Sequence, residues 1–374
     1  MGVGDSYTSE VKVFLDEEYG YTLIRPLDTG LNRTLYFTSN PFLDDGEHLI
    51  ISSNINECDN LYKLNFITGE YIQLTDEPNI HTTLSYLDRC TNILYCRTDK
   101  KIFSVNIDTL EYKVILKLDD ISKEIEGLGP SIAITCDGKY VLAEHEYIHK
   151  FRNNDGELIK EKMWRILKID IETLKQSDVL YANYKVDHIQ CSPTDPEYLT
   201  YCAWGYWPTH HRVWGTNIYG TKGGPLGEEK PNEHRTHEYF TNDGSQIAYH
   251  GKFFVMESNK FKKIRDTYGI MSADGTNDRE WICPKGYAPG HSTRTPNGDK
   301  VIADGRNKIS ILEFNDEHMT CTPRPIYTHN SSMTCNEVHP HPSISKDGRY
   351  ICFVTDQGKG KEYANVYIID LESK

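Results

Sequence analysis

The segment VHPHPSISKDGRYICFVTD, residues 338–356, contains the pattern that predicts the fold. An Asp347-Gly348 turn separates the short run before it from the β-rich run YICFVTD. Asp-Gly between runs of β-branched and aromatic residues is a strong signal for an antiparallel hairpin. The segment also places His339 and His341 two residues apart, so both imidazoles face the same way in an extended chain.

The same turn recurs along the chain at intervals of roughly fifty residues, which is typical of a repeat architecture. Its copies are Asp45-Gly46, a degenerate turn near Asp88, Asp137-Gly138, Asp195-Pro196, Asp243-Gly244, Asn297-Gly298 and Asp347-Gly348. Each copy continues into β-rich runs such as NLYKLNF, WRILKID or NVYIIDL. Four strands in each of seven copies predict an all-β fold, a seven-bladed β-propeller that occupies residues 1–374 as a single domain. The N-terminal run YTLIRPLDTG has no turn of its own, so we expect its strand to close the last blade.

The composition excludes several classes of partner. The chain carries 41 Lys and Arg against 55 Asp and Glu, a formal charge of −14, which argues against nucleic acid but leaves room for a small anion in a local cationic pocket. We expect no membrane span, because no stretch approaches the roughly 20 apolar residues that one needs. The N-terminus has no apolar signal region and the ten cysteines form no CxxC pair, so a cytoplasmic location is expected.

Histidine occupies one equivalent position in four successive copies of the repeat. The copies read HIQCS, HEYFT, HSTRT and HPSIS, beginning at His188, His237, His291 and His341. In a propeller the first strand of each blade lines the central channel, so these imidazoles and His339 are predicted to meet at one mouth of it. Imidazole is a common transition-metal ligand and general base. The alternative is that each histidine only bonds the backbone of the next blade.

A second candidate segment is WPTHHRVWG, residues 207–215. Arg212 is permanently charged and its planar guanidinium fits a carboxylate, although a surface ion pair is the simpler interpretation. Arg212 is therefore a candidate for contact with an anionic ligand, and His188 and His210 are predicted to contact the same ligand. The chain has no GxSxG, HExxH or Walker motif and no paired carboxylates that would suggest glycoside hydrolysis.

Three segments of the chain resemble the blade motifs of oligogalacturonate lyases. They are THEYFTNDGSQIAYHG, GHSTRTPNGDKVIADG and VHPHPSISKDGRYICFVTD. A first blade, NPFLDDGEHLIISSN with NLYKLNFITGEYIQLTD, is similar to theirs and is shared with TolB-type propellers. The resemblance extends over nearly the whole chain and implies a seven-bladed propeller that holds one Mn²⁺ ion.

The resemblance also implies roles for individual residues. The resemblance implies that the metal ligands are His291, His339 and His341. The family has a further ligand, a Gln, three residues before the first of the paired histidines, where this chain has Asn336; Glu337 or water is the alternative. His237 matches the proposed base, and Arg212 matches an arginine that assists it.

These residues suit a lyase that cleaves a uronic acid glycoside by β-elimination. Removing the proton beside an anionic carboxylate adds negative charge, which a divalent cation and a guanidinium offset. The expected substrate is a small anionic oligosaccharide, digalacturonate or its unsaturated form, and the products are keto-deoxyuronates. Two alternatives are a lyase for another uronate glycoside, suggested by Asn336, and a non-catalytic TolB-like propeller that binds a protein partner.

Overall fold

The computed structural model describes residues 2–120, 125–152, 155–205, 211–258 and 260–374. The first strands are β1 (Ser6–Thr8), β2 (Lys12–Leu15), β3 (Thr22–Arg25), β4 (Asn32–Thr34), β5 (His48–Ser53), β6 (Asn60–Asn65), β7 (Glu70–Gln73), β8 (Tyr86–Asp88), β9 (Ile93–Arg97), β10 (Lys101–Asn106), β11 (Tyr112–Lys117), β12 (Ile125–Ile134), β13 (Tyr140–Arg152), β14 (Leu158–Asp170) and β15 (Gln176–Ala182). The others are β16 (Val186–Cys191), β17 (Tyr198–Ala203), β18 (Val213–Asn217), β19 (Gly223–Pro225), β20 (Glu233–Phe240), β21 (Gln246–Glu257), β22 (Lys260–Ser272), β23 (Arg279–Ile282), β24 (Ser292–Arg294), β25 (Val301–Ala303), β26 (Lys308–Asn315), β27 (Thr320–Thr328), β28 (Ser343–Ile344), β29 (Tyr350–Thr355) and β30 (Asn365–Asp370).

Short 3-10 helices are the helical elements of the described residues. They are Thr82–Leu84, Leu118–Asp120, Gly305–Asn307, Asn336–Val338 and Lys361–Tyr363. None of them is long enough or apolar enough to cross a membrane. The prediction of an all-β fold is therefore confirmed.

The strands form antiparallel sheets that follow one another along the chain. Three sheets have four strands, in the orders β11-β10-β9-β8, β12-β13-β14-β15 and β16-β17-β18-β19. Two have five strands, in the orders β1-β7-β6-β5-β4 and β2-β3-β30-β29-β28. The eight-stranded sheet, β20-β21-β22-β23-β27-β26-β25-β24, consists of two antiparallel halves that one parallel pair, Ile282 with Thr320, holds together.

The predicted turns have a common side-chain chemistry. In the copy at Asp243, the carboxylate accepts hydrogen bonds from the Thr241 hydroxyl at 2.6 Å and from the Ser245 backbone N–H at 3.1 Å. Gly244 has φ of 67°, a left-handed conformation that glycine adopts without steric cost, and its N–H donates to the Thr241 carbonyl. Hydrogen bonds between residues close in the sequence therefore close this hairpin turn.

Hydrophobic clusters fill the spaces between consecutive sheets. One cluster packs Val213 of β18 against Ile247 of β21, and others join the remaining neighbours in chain order. A further cluster packs Ile24 and Val366 of the last sheet against Leu49 of the first. Burial of these aliphatic side chains stabilises the arrangement of the sheets.

The N-terminal run enters the sheet that contains the end of the chain. β3 pairs with β30 through Thr22 with Asp370, Leu23 with Ile369 and Ile24 with Ile368. Leu23 is completely buried, so the pairing is anchored by packing as well as by backbone hydrogen bonds.

Candidate metal and active site

Two histidines from the repeat pattern, together with the neighbouring His339, converge on one point. The side-chain nitrogens offered by His291, His339 and His341 all lie within 4.8 Å of one another. His291 and His341 are buried and His339 is half-buried. Three imidazole nitrogens at this separation can hold a single transition-metal ion.

The local backbone directs these side chains. His188, His237 and His341 have left-handed φ angles of 54°, 55° and 46°, and at His291 it is the preceding Gly290 that takes φ of 65°. The strand ladder also shifts register at His188 and at His237. Left-handed non-glycine residues are uncommon and cluster at functional sites. Here the conformation recurs at the equivalent position in three copies of the repeat.

Asp304 orients His291. Its carboxylate accepts hydrogen bonds from the His291 backbone N–H at 2.8 Å and from Nδ1 at 2.9 Å. This leaves Nε2 of His291 as the nitrogen with a free lone pair. A Cβ on Gly290 would lie 2.1 Å from Asp304 Oδ1, so only glycine permits this approach. Carboxylate-oriented histidines of this kind are a common feature of metal sites.

An unpaired nitrogen of His341 also indicates that the cluster can bind a metal. Nε2 of His341 is buried and has no hydrogen-bond partner among the described residues. Burial, followed by the neighbouring His291 and His339, lowers the pKa of His341 well below its ordinary value, so the ring is neutral and can donate a lone pair. An unsatisfied buried nitrogen costs about 1–3 kcal/mol, which a bound cation would offset.

We expect Asp304→Asn to weaken metal binding by about 10- to 100-fold, because the neutral amide replaces the carboxylate that accepts the hydrogen bond from Nδ1 and orients His291. Calorimetric titration of the metal-free protein with Mn²⁺ measures the effect. Glu317→Gln, the same chemical change at an exposed position, is the control. Equal affinities for the two variants would contradict an orienting role of Asp304.

His237 lies against this cluster without being part of it. Its ring centroid is 4.1 Å from that of His291, and its Nδ1–H donates to the Gly290 carbonyl at 2.8 Å. Burial lowers the pKa of His237 well below its ordinary value, and the neighbouring His291 and His250 lower it further. The ring is therefore neutral, with the lone pair on Nε2, which is the form that a general base requires.

Arg212 is fixed by a buried carboxylate. Its Nε and Nη2 lie 3.2 and 3.4 Å from the two carboxylate oxygens of Glu238, and its backbone N–H donates to Glu229 at 2.7 Å. Burial raises the pKa of Glu238, but the charges of Arg212 and His188 outweigh it and the pKa lies below its usual value. A paired guanidinium of this kind is rigidly held, because both partners have lost their conformational freedom.

Tyr36 and Phe37 belong to the site, although the sequence pattern did not identify them. The Tyr36 hydroxyl is hydrogen bonded to Nε2 of His188 at 3.0 Å, and its ring centroid lies 4.9 Å from that of His341. The Phe37 ring lies 5.2 Å from that of His291. Their only sequence signal is an aromatic pair just before Ser39, the residue that opens the first copy of the repeat.

The candidate residues share one open cavity of about 650 Å³. Its lining includes His188, Arg212, His237, Asn336 and Glu337 together with the three clustered histidines. Asn336 and Glu337 begin the 3-10 helix that leads to His339, and Glu337 is not among the clustered groups of the described residues. His210 lies outside the described residues, so its predicted contact with the substrate stays a prediction.

Comparison with known proteins decides the family. A family model described as oligogalacturonate lyase matches residues 6–279. The chain belongs to the oligogalacturonate lyase family. This family of lyases includes a curated oligogalacturonate lyase of Dickeya dadantii (strain 3937), 24% identical over 385 residues that cover 95% of each chain. An oligogalacturonide lyase of Pectobacterium atrosepticum is 23% identical with the same coverage.

Solved structures of the family share the fold. An oligogalacturonate lyase in complex with manganese superposes with a TM-score of 0.83 at 19% identity, covering 99% of this chain and 98% of the other. An oligogalacturonate lyase from Vibrio parahaemolyticus superposes with a TM-score of 0.82 at 20% identity over the full length of both chains. The family resemblance predicted from the blade motifs is thus confirmed.

Proposed function

We propose that the protein is a metal-dependent lyase that cleaves short oligogalacturonides, digalacturonate or its unsaturated form, by β-elimination to keto-deoxyuronates. The observation that carries the proposal is the position of one neutral histidine, His237, whose ring centroid lies 4.1 Å from that of His291 in a cluster of three histidines that fits a metal. A cation site next to an unligated base is the minimum that this elimination needs. Membership of the oligogalacturonate lyase family supports the choice of substrate.

In the proposed reaction, His237 removes the proton from C5 of a galacturonate. The electron pair left on C5 forms a double bond to C4, and the C4–O4 bond breaks with its electrons moving to oxygen. The departing oxygen takes up a proton and leaves as a hydroxyl. The hydrogen bond from Nδ1 to the Gly290 carbonyl supports this role, since it leaves Nε2 as the atom that receives the proton.

The C5 proton is weakly acidic because the adjacent carboxylate is already negative. Arg212 is proposed to offset the charge that develops there, and its pairing with Glu238 keeps the guanidinium in place. His291, His339 and His341, with an amide oxygen from Asn336, are proposed to hold the metal. When bound, the metal supplies a positive charge on the substrate carboxylate.

We propose Mn²⁺ as the metal. Nitrogen ligands combined with an amide oxygen and water suit it, whereas zinc more often takes a closed tetrahedral set. The manganese complex of a similar structure supports this choice. His188 and His210 are proposed as substrate contacts, His188 because it lines the cavity beside Tyr36.

The architecture proposed for this site is a seven-bladed propeller with its N-terminal strand in the last blade. Support comes from the two halves of the eight-stranded sheet, each with the four strands of one blade, and from the pairing of β3 with β30. The ten unpaired cysteines support a reducing location, which we propose to be the cytoplasm.

Product analysis with purified uronides tests the function. Digalacturonate incubated with Mn²⁺-loaded protein should yield one keto-deoxyuronate and one galacturonate, and the unsaturated dimer should yield two keto-deoxyuronates, all detected by mass spectrometry. Because Asn336 replaces the glutamine of the family motif, the panel includes other uronate disaccharides. If only another uronide is cleaved, that uronide is the substrate in place of digalacturonate. If none is cleaved, a non-catalytic interaction propeller is favoured.

A further inference from the structure

Three permanently charged cations line the cavity among the described residues: Arg33, Lys185 and Arg212. Arg212 is occupied by both oxygens of Glu238. Nζ of Lys185 lies 3.1 Å from a carboxylate oxygen of the buried Asp187. Arg33 differs from these two, because its ion-pair partner is exposed and most of its donors are unused.

The Arg33 side chain is held by a single contact. Nη1 lies 3.2 Å from Oδ2 of Asp59, whose side chain is 41% exposed, while that of Arg33 is only 10% exposed. Nε is buried without a hydrogen-bond partner, and no hydrogen bond of the described residues uses Nη2. A guanidinium withdrawn from water with its Nε–Nη2 edge unpaired is costly, so the site favours an anionic ligand.

Arg33 lies on the metal side of the cavity. Its strand β4 packs against β29 and β30, which belong to the sheet that follows His339 and His341. Arg33, Glu337 and His339 all line the same cavity, so the guanidinium shares this cavity with the segment that leads to His339. A ligand at the clustered histidines would therefore have Arg33 as a neighbour.

We propose that Arg33 binds a second carboxylate of the substrate, one that is not held at the histidine cluster. The inference rests on the proposed function and adds a specificity-determining residue to it. Nη2 carries two N–H groups that no hydrogen bond of the described residues uses, and a charge-assisted hydrogen bond from this group to a carboxylate oxygen is stronger than one between neutral groups. The cavity thereby selects a chain with carboxylates on adjacent sugars over one with a single charged sugar.

The test compares Arg33→Gln and Arg33→Lys with wild type in the Mn²⁺-loaded protein. Arg33→Gln should raise KM for digalacturonate at least tenfold and change kcat less than threefold, and Arg33→Lys should recover part of the loss. The second substrate carries a methyl ester on the galacturonate that keeps its C5 proton. For that ester, Arg33→Gln should change kcat/KM less than threefold, because the carboxylate that Arg33 binds is already neutral.

Two further variants separate recognition from structure. Arg324→Gln removes a charge at an exposed ion pair with Glu313 and should leave KM unchanged. Asp59→Asn removes the protein partner of Arg33 and should leave KM unchanged or lower it. Calorimetry with digalacturonate, in a His237→Asn background whose turnover is expected to be about 10²- to 10⁴-fold slower, should show the same tenfold loss of affinity for Arg33→Gln.

The outcomes distinguish this inference from the proposed function. If wild type cleaves digalacturonate but Arg33→Gln affects the free acid and the ester equally, the second-carboxylate site is wrong and the function stands. If Asp59→Asn raises KM as much as Arg33→Gln does, the ion pair is structural and the inference is also overturned. If wild type cleaves no uronide, the proposed function itself fails.

Discussion

His237→Asn is expected to lower kcat by about 10²- to 10⁴-fold, the usual contribution of a positioned general base. Asparagine is the replacement of choice because His237 has φ of 55°, a left-handed conformation that asparagine tolerates better than alanine does. The amide has no basic nitrogen, so the proton at C5 loses its acceptor. Single-turnover kinetics with digalacturonate measure the chemical step directly.

Two controls accompany the His237 variant. His318→Asn makes the same change at an exposed position and should retain the wild-type rate. The His237→Asn protein should still bind one Mn²⁺ ion, because His237 is not one of the three clustered histidines. A rate within tenfold of wild type would mean that another group accepts the proton.

Removal of the metal is expected to abolish cleavage, with kcat/KM falling at least 10³-fold and returning when Mn²⁺ is added. The cluster of His291, His339 and His341 is the reason, since the cation it holds would offset charge next to the reacting carbon. Elemental analysis should find one metal ion per chain. At a free Mn²⁺ concentration of about 100 times the dissociation constant, metal binding should stabilise the fold by about 2.7 kcal/mol. A rise in Tm detects this stabilisation.

The variant His339→Ala tests whether the metal binds at the histidine cluster. His339 has φ of −69°, so alanine introduces no backbone strain, in contrast to the left-handed His341. The variant should lose both the metal and the Tm increase on addition of Mn²⁺, and His318→Ala should lose neither. Full metal binding by His339→Ala would show that the ion sits elsewhere.

The parts of the fold that the sequence predicted are those with local causes. Turns such as Thr241 to Ser245 are closed by side chains within a few residues, so each hairpin can be identified by inspection. In the degenerate copy near Asp88, Asn92 takes the left-handed conformation with φ of 54° that glycine takes elsewhere. The Asp-Gly signal is absent near Asp88 because asparagine can also adopt the left-handed conformation.

The histidines of the site were predictable because most of them recur at one position of the repeat, whereas the contacts of their supporting residues follow no such visible pattern. Asp304 reaches His291 from 13 residues away, and the residue at the same spacing from Ser131 is not an aspartate but Glu144. Glu238 stands beside His237 in the sequence, yet its pairing with Arg212 spans 26 residues. Tyr36 reaches His188 across 152 residues. Such partners depend on how the sheets pack, which no local spacing encodes.

The pairing of β3 with β30 has a consequence for biogenesis. The amide of Asn365 donates to the Leu27 carbonyl across 338 residues, so this contact forms only after residue 365 has left the ribosome. Closing so long a loop is entropically costly and slow. Until the loop closes, β3 exposes an unpaired edge on which nascent chains can aggregate. Chaperone dependence should therefore persist until β3 and β30 have paired.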